Sequence, residues 1–157
     1  MKTEKSCFFT GHRNIPVELE DNIRESLREK INILVKKGVT DFISGGAYGF
    51  DIICAEEVLD MKQKYPHIRL HLFLTCANHN LRWKKSSRDH FEFIMQKADS
   101  VIHTTEFNYF HGCTIIRNNA MVKSALYCIA YNNTEGSGTD YTLRYARELG
   151  RIIVNIA

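Results

Sequence analysis

The stretch Asp41-Phe42-Ile43-Ser44-Gly45-Gly46-Ala47-Tyr48-Gly49-Phe50-Asp51 decides the fold. A short apolar run meets three glycines and then a segment of helical character, which predicts a strand turning sharply into a helix. Such a turn leaves backbone N–H groups unpaired at the positive end of a helix, where a phosphate is favoured. Glycine lets the chain approach that phosphate without a Cβ in the way. No Lys-Ser/Thr follows the last glycine and the spacing is not GxGxxG, so this is neither a Walker loop nor a dinucleotide fingerprint. Asp51, in the first helical turn, suits a ribose hydroxyl or the helix dipole.

The same pattern recurs on either side. Thr10-Gly11-His12-Arg13 follows the apolar run 6–9, and Gly136-Ser137-Gly138-Thr139 follows the run 125–131. Thr139 can reach a phosphate oxygen or cap the helix that starts there. Arg13 offers a guanidinium that forks onto a phosphate, and so does Arg117, which opens a short expected helix at 116–123; a surface salt bridge is the alternative for each.

Working outward, strands are predicted at 5–10, 39–44, 68–75, 99–104, 125–131 and 151–156. Helices are predicted after Pro16, at 50–64, 81–97, 116–123 and 139–149. Ile23, Leu27, Ile31 and Leu34 recur every three or four residues in the first, and Gly38 ends it. The β-α alternation predicts an α/β fold: one Rossmann-like, doubly wound, mostly parallel sheet with helices on both faces, formed by a single domain, 1–157. In such sheets ligands bind outside the carboxyl ends of the strands, where strand order reverses. All three glycine turns fall at that edge.

Composition narrows the function classes. The chain has 157 residues, 44% hydrophobic and 25% charged, which is ordinary for a globular protein. No apolar run nears the roughly 20 residues that span a bilayer, and the start lacks a signal-peptide pattern, so a cytoplasmic protein is expected. The five cysteines are odd in number and include no CxxC, and read as small buried hydrophobes. A formal charge of +3 is too small to mark a nucleic-acid binder but admits an anionic ligand. The expected partner is a nucleotide-derived small molecule; a homo-oligomer is possible, and neither nucleic acid nor membrane is expected.

Trp83 sits among Arg82, Lys84 and Lys85 at the start of the third expected helix. It reads as a stacking surface for a base or as the head of the apolar stripe continued by Phe91, Ile94 and Ala98. Cys76 with His79 and His111 with Cys113 complete no metal-ligand set at a known spacing, so no metal or cofactor is expected. No GxSxG or HExxH is present, and no nucleophile stands out.

Taken together, TGHR at 10–13, GGAYGFD at 45–51, Arg82-Trp83, Ala98-Asp99, RNNAMV at 117–122 and GSGT at 136–139 with Thr142 and Ala146 resemble the YpsA-like branch of the SLOG superfamily. That superfamily also groups the DNA-processing protein DprA and the LOG proteins. The resemblance runs in order over nearly the whole chain and implies a bacterial, Rossmann-like protein that binds nucleotides or their derivatives. It also implies a pocket formed by Gly11, Arg13, Gly45, Gly46, Arg117, Gly138 and Thr139. LOG enzymes release a base from a nucleoside monophosphate and carry PGGxGTxxE, whose glutamate serves catalysis; Thr142 stands at that place here. Asp140 and Glu135 are not at the matching offset.

The sequence therefore points to a ligand-binding or sensor module whose phosphate site comprises Gly11, Arg13, Gly45, Gly46, Asp51, Arg117, Gly136, Gly138 and Thr139, with Trp83 for the base. The alternatives are a nucleotide hydrolase using Asp51, Glu135 or Asp140, and a DprA-like single-strand binder resting on Trp83 and its basic neighbours.

Overall fold

Apolar runs of four to six residues become strands, because helices cover the sheet on both sides and leave few positions for polar residues. In the computed structural model, which describes residues 1–76, 80 and 83–157, the order is β1 Ser6–Gly11, α1 Glu20–Lys36, β2 Asp41–Ser44, α2 Phe50–Met61, β3 Arg69–Leu74, α3 Lys85–Lys97, β4 Ser100–His103, α4 Cys113–Ser124, β5 Tyr127–Tyr131, α5 Gly138–Glu148 and β6 Ile152–Asn155. Two short 3₁₀ turns precede β1 and α1.

The six strands form one sheet in the order β4-β3-β2-β1-β5-β6, and every pairing is parallel. The mostly parallel expectation thus becomes a wholly parallel sheet. Cys7 pairs with Phe42 on one side and Tyr127 on the other, which places β1 at the centre.

Successive side chains of each strand enter opposite layers. Phe9, Phe42, Leu72 and Ile129 join Leu27, Ile31, Ile53, Val58, Phe91 and Ile94, a core shared with α1, α2 and α3. Phe8, Ile43, Phe73 and Cys128 join Met121, Val122, Leu143 and Ala146 from α4 and α5. All five cysteines are buried and unbridged. Between α1 and α2 the buried carboxylate of Glu57 accepts from Arg24 at 3.1 Å and Arg28 at 3.0 Å, so its charge is compensated.

Three boundaries differ from expectation. Helix α2 stops at Met61, with a turn completing the approach to Pro66. Helix α4 starts at Cys113, inside what the sequence suggests is a loop, because Gly112 at φ 95° turns the chain into it. The expected helix start at Leu81 lies outside the described residues; α3 begins at Lys85, two positions after Trp83. Among the described residues no helix is long and apolar enough to cross a membrane.

Candidate functional site

The strand order reverses between β1 and β5, since β2, β3 and β4 lie on one side of β1 while β5 and β6 lie on the other. A cleft of about 290 Å³ opens there. This is the place that open parallel sheets reserve for ligands. The end of β1 is fixed from both flanks. The amide of Phe50 donates to the carbonyl of His12 at 3.1 Å, and the amide of Asn133 donates to His12 Nε2 at 3.1 Å. A Cβ on Gly11 would overlap the Phe50 ring, so β1 can lie this close to α2 only with glycine at that position.

From the α4 side comes Arg117, which is buried at 3% exposure. It lies in the second turn of the helix rather than opening it, and its side chain turns inward. One guanidinium nitrogen donates to the carbonyl of Gly45, and Nε donates to Asn118 Oδ1 at 2.7 Å. Across Gly45 lies Asp51, buried in the first turn of α2. Its Oδ2 accepts from the amide of Ala47 at 3.2 Å, while Oδ1 is buried with no hydrogen-bond partner among the described residues. No ion pair within 4 Å joins Asp51 to Arg117 among the described residues.

The electrostatics follow from that geometry. Burial pushes the Asp51 carboxyl up to about 6, against the opposing pull of Arg117, the Ala47 amide and Arg13. Burial likewise lowers the Arg117 pKa, with Asp51 opposing. Two cationic side chains and one reluctant carboxylate thus share the cleft, which favours an incoming anion.

The glycine turn between β2 and α2 behaves otherwise than expected. The amide of Gly46 donates to Ser44 Oγ at 3.2 Å, and Ser44 Oγ in turn donates to the carbonyl of Asp51 at 2.8 Å. With Ala47 bonded to Asp51, two of the amides read from sequence as a phosphate cradle, those of Gly46 and Ala47, are engaged by the protein's own side chains. A Cβ on Gly45 would lie 2.6 Å from Arg117, and one on Gly46 would lie 2.7 Å from Leu74, so these glycines make room for the protein's own side chains. Gly45 and Gly46 support the cleft from behind and do not line it.

The third turn keeps its amides open. Ser137 caps α5: its side chain accepts from the amide of Asp140 at 3.1 Å. Thr139 is therefore not the cap. The amides of Gly138 and Thr139 have no partner among the described residues, and both residues line the cleft. Gly136 does not line it, because its amide donates at 2.9 Å to Asp140, whose carboxyl that bond holds below the ordinary range. At the position of the LOG glutamate, Thr142 donates to the carbonyl of Gly138 at 3.1 Å and accepts from Asn118 at 3.2 Å, tying α5 to α4.

Of the residues expected in the site, Gly11, Arg13, Asp51, Arg117, Gly138 and Thr139 line one cleft. Trp83 does not. It belongs to a separate cavity of about 500 Å³, where Arg13 also appears. Asn118, Ser137 and His12 escaped notice, although each adjoins a residue that the sequence does single out. Arg82 and His79 lie outside the described residues, and among the described residues no three metal-ligating side chains cluster.

The family model described as the YspA SLOG family matches residues 7–150. A UPF0398 protein of Bacillus thuringiensis (strain Al Hakam) is 26% identical over 132 residues, covering 83% of this chain and 72% of the relative. A UPF0398 protein of Bacillus cereus (strain AH187) matches equally. Among solved structures, DNA processing protein A of Helicobacter pylori superposes with a TM-score of 0.67 at 19% identity, covering 96% of this chain and 64% of that one. Its counterpart from Streptococcus pneumoniae gives 0.69 at 15% identity, covering 96% and 49%. The chain thus spans less than two thirds of the first and about half of the second. The expectation that nucleic acid is not a partner is overturned here, because the Helicobacter pylori protein of this fold has a single-stranded DNA binding mode. Net charge averages over the whole surface and so does not register that Arg13 and Arg117 meet at one cleft.

Proposed function

The chain belongs to the YspA SLOG family, and from that premise we propose that it binds a nucleotide-derived ligand, holding the phosphate in the β1–β5 cleft between Arg13, Arg117 and the open amides of Gly138 and Thr139. The observation that carries this reading is the buried Arg117 guanidinium, which faces the same cleft as an uncapped pair of helix N-terminal amides. A buried cation without an ion pair is costly, and a bound anion offsets that cost. Helix dipole and guanidinium act in the same direction. Asp51 Oδ1, lacking a partner, is suited to accept from a ribose hydroxyl.

Recognition without turnover fits the cleft better than hydrolysis. The hydroxyl of Thr142 bridges α4 and α5 where LOG enzymes place a carboxylate, and Asp140 holds Gly136. Calorimetric titration with adenine and guanine nucleotides at low salt tests the reading. Saturable binding that weakens about tenfold in Arg13→Ala is expected, since charged hydrogen bonds contribute about 1.5–3 kcal/mol. Absence of heat with every nucleotide and with pyrophosphate would overturn it.

A second reading, binding of single-stranded DNA, is favoured by the fold shared with the Helicobacter pylori protein. Both readings need the same phosphate contacts. Anisotropy of a labelled thymidine oligonucleotide, falling steeply with salt, would support the second.

A further inference from the structure

The phosphate cleft leaves a larger cavity unassigned. It lies across a ridge made by Arg13 and Gly49, whose backbones touch so closely that a Cβ on Gly49 would overlap the Arg13 carbonyl. Ala47 faces the cleft on one side of this ridge, and Tyr48 faces the cavity on the other.

The wall of the cavity is aromatic. Trp83 meets Phe91 edge to face with centroids 5.1 Å apart, and Tyr48 meets Trp83 in the same manner at 5.8 Å. Tyr48 is nonetheless 54% exposed, so ring surface stays open to the cavity. The charged residues around it are largely paired with each other. Arg24 reaches Glu20 at 2.9 Å and Glu56 at 3.4 Å, and His90 lies 3.5 Å from Glu56. Arg13 differs. Its side chain makes no hydrogen bond or ion pair among the described residues, and it lines both cavities.

An aromatic wall takes a planar base, a cleft with Arg117 and helix amides takes a phosphate, and an unpaired guanidinium between them takes a negatively charged linker. The cleft alone is at the lower limit of about 300 Å³ for a whole small-molecule site, and the two spaces together fall well inside the usual range. Resting on the phosphate reading above, we propose that the two cavities form one bipartite site for a ligand in which a nucleobase is joined through a phosphate ester to a second phosphate-bearing unit, with the base on Tyr48 and Trp83 and the linker over Arg13. A free dinucleotide and two successive nucleotides of a single strand both present this chemistry.

The chain contains one tryptophan, so its emission reports the second cavity directly. The wild-type protein is titrated at low salt with pyrophosphate, adenosine, a diadenosine diphosphate and a short thymidine oligonucleotide, with heat and tryptophan emission recorded together. Pyrophosphate should bind without changing the emission. The base-bearing diphosphate, the oligonucleotide or both should quench it and bind at least about tenfold more tightly, as base stacking on an aromatic ring supplies that much. Quenching by only one of the two identifies the source. Tyr48→Ala, at an exposed side chain and checked for an unchanged thermal midpoint, should return the base-bearing ligand to the affinity of pyrophosphate. Binding without quenching, or binding indifferent to Tyr48→Ala, would overturn the bipartite site while leaving the phosphate reading intact. Equal quenching by adenosine would also overturn it, by showing that the cavity works alone. If nothing binds, both proposals fall.

Discussion

In the turn at 45–49 the protein engages its own amides, with Gly46 bonded to Ser44 and Ala47 to Asp51, whereas in the turn at 136–138 the helix is capped by Ser137 and the amides of Gly138 and Thr139 stay open. In sequence the first turn looks like the better phosphate cradle, because it has more glycines. In space the second leaves amides open to the cleft, while the first is engaged by the protein's own side chains. Glycine signals that something comes close to the backbone, and that something can be a ligand or the protein's own side chain.

Four substitutions separate the two roles. The largest effect is expected from Gly49→Ala, where φ is 89° and a Cβ would overlap the Arg13 backbone. Strain and displacement together should cost about 3 kcal/mol or more, read as a shift in the urea midpoint. A near-silent result would mean that the first turn is as open as the second.

Next comes Asp51→Asn, through pH. The folded protein holds this carboxyl at about 6, above its ordinary 3.8, so between those values the native state keeps a proton that the unfolded chain has lost. Stability from this group is therefore highest below about pH 4, falls as pH rises to about 6, and stays reduced above it. Asp51→Asn should remove that fall and gain on the order of 2–3 kcal/mol relative to wild type between pH 4 and pH 7.5. Urea midpoints at pH 4, 5, 6 and 7.5 check this; a difference that is constant with pH would refute the buried-carboxylate account.

A smaller loss, about 1 kcal/mol, is expected for Ser137→Ala, because the α5 cap disappears. Equilibrium unfolding at pH 7 measures it, and a loss of several kcal/mol would show that the second turn also supports the core. The smallest change belongs to Gly138→Ala, where a Cβ meets nothing within 4 Å. Stability should stay within about 0.5 kcal/mol of wild type by the same assay. A cost like that of Gly49→Ala would erase the distinction between the turns.

Much of this architecture was legible beforehand. Ile23, Leu27, Ile31 and Leu34 gave α1 by spacing alone, and the runs around Phe8, Ile43 and Ile129 gave strands, because both signals come from local periodicity. The three glycine turns fall at the ends of β1, β2 and β5, as the same local signals predict. Hidden from sequence was which amides find internal partners. Ser44 bonding across its own turn and Ser137 displacing Thr139 as the cap are choices between adjacent hydroxyls that depend on tertiary placement. The sequence puts Arg117 at a helix start and the structure puts it in the second turn, because α4 begins just after Gly112, inside the stretch expected to be a loop. Trp83 lies in a separate cavity from the other expected site residues, because position along a strand edge does not say on which side of the Arg13 ridge a side chain falls.

Pairing between β1 and β5 joins Cys7 to Tyr127, residues far apart in the sequence. Every element of the first half can therefore assemble before the central strand has both neighbours, and the cleft cannot exist until β5 and α5 dock. Long-range parallel pairing of this kind is slow to nucleate. A ribosome-bound chain that ends before β5 would carry β1 as a bare apolar edge, so the cleft is among the last features of this sheet to mature.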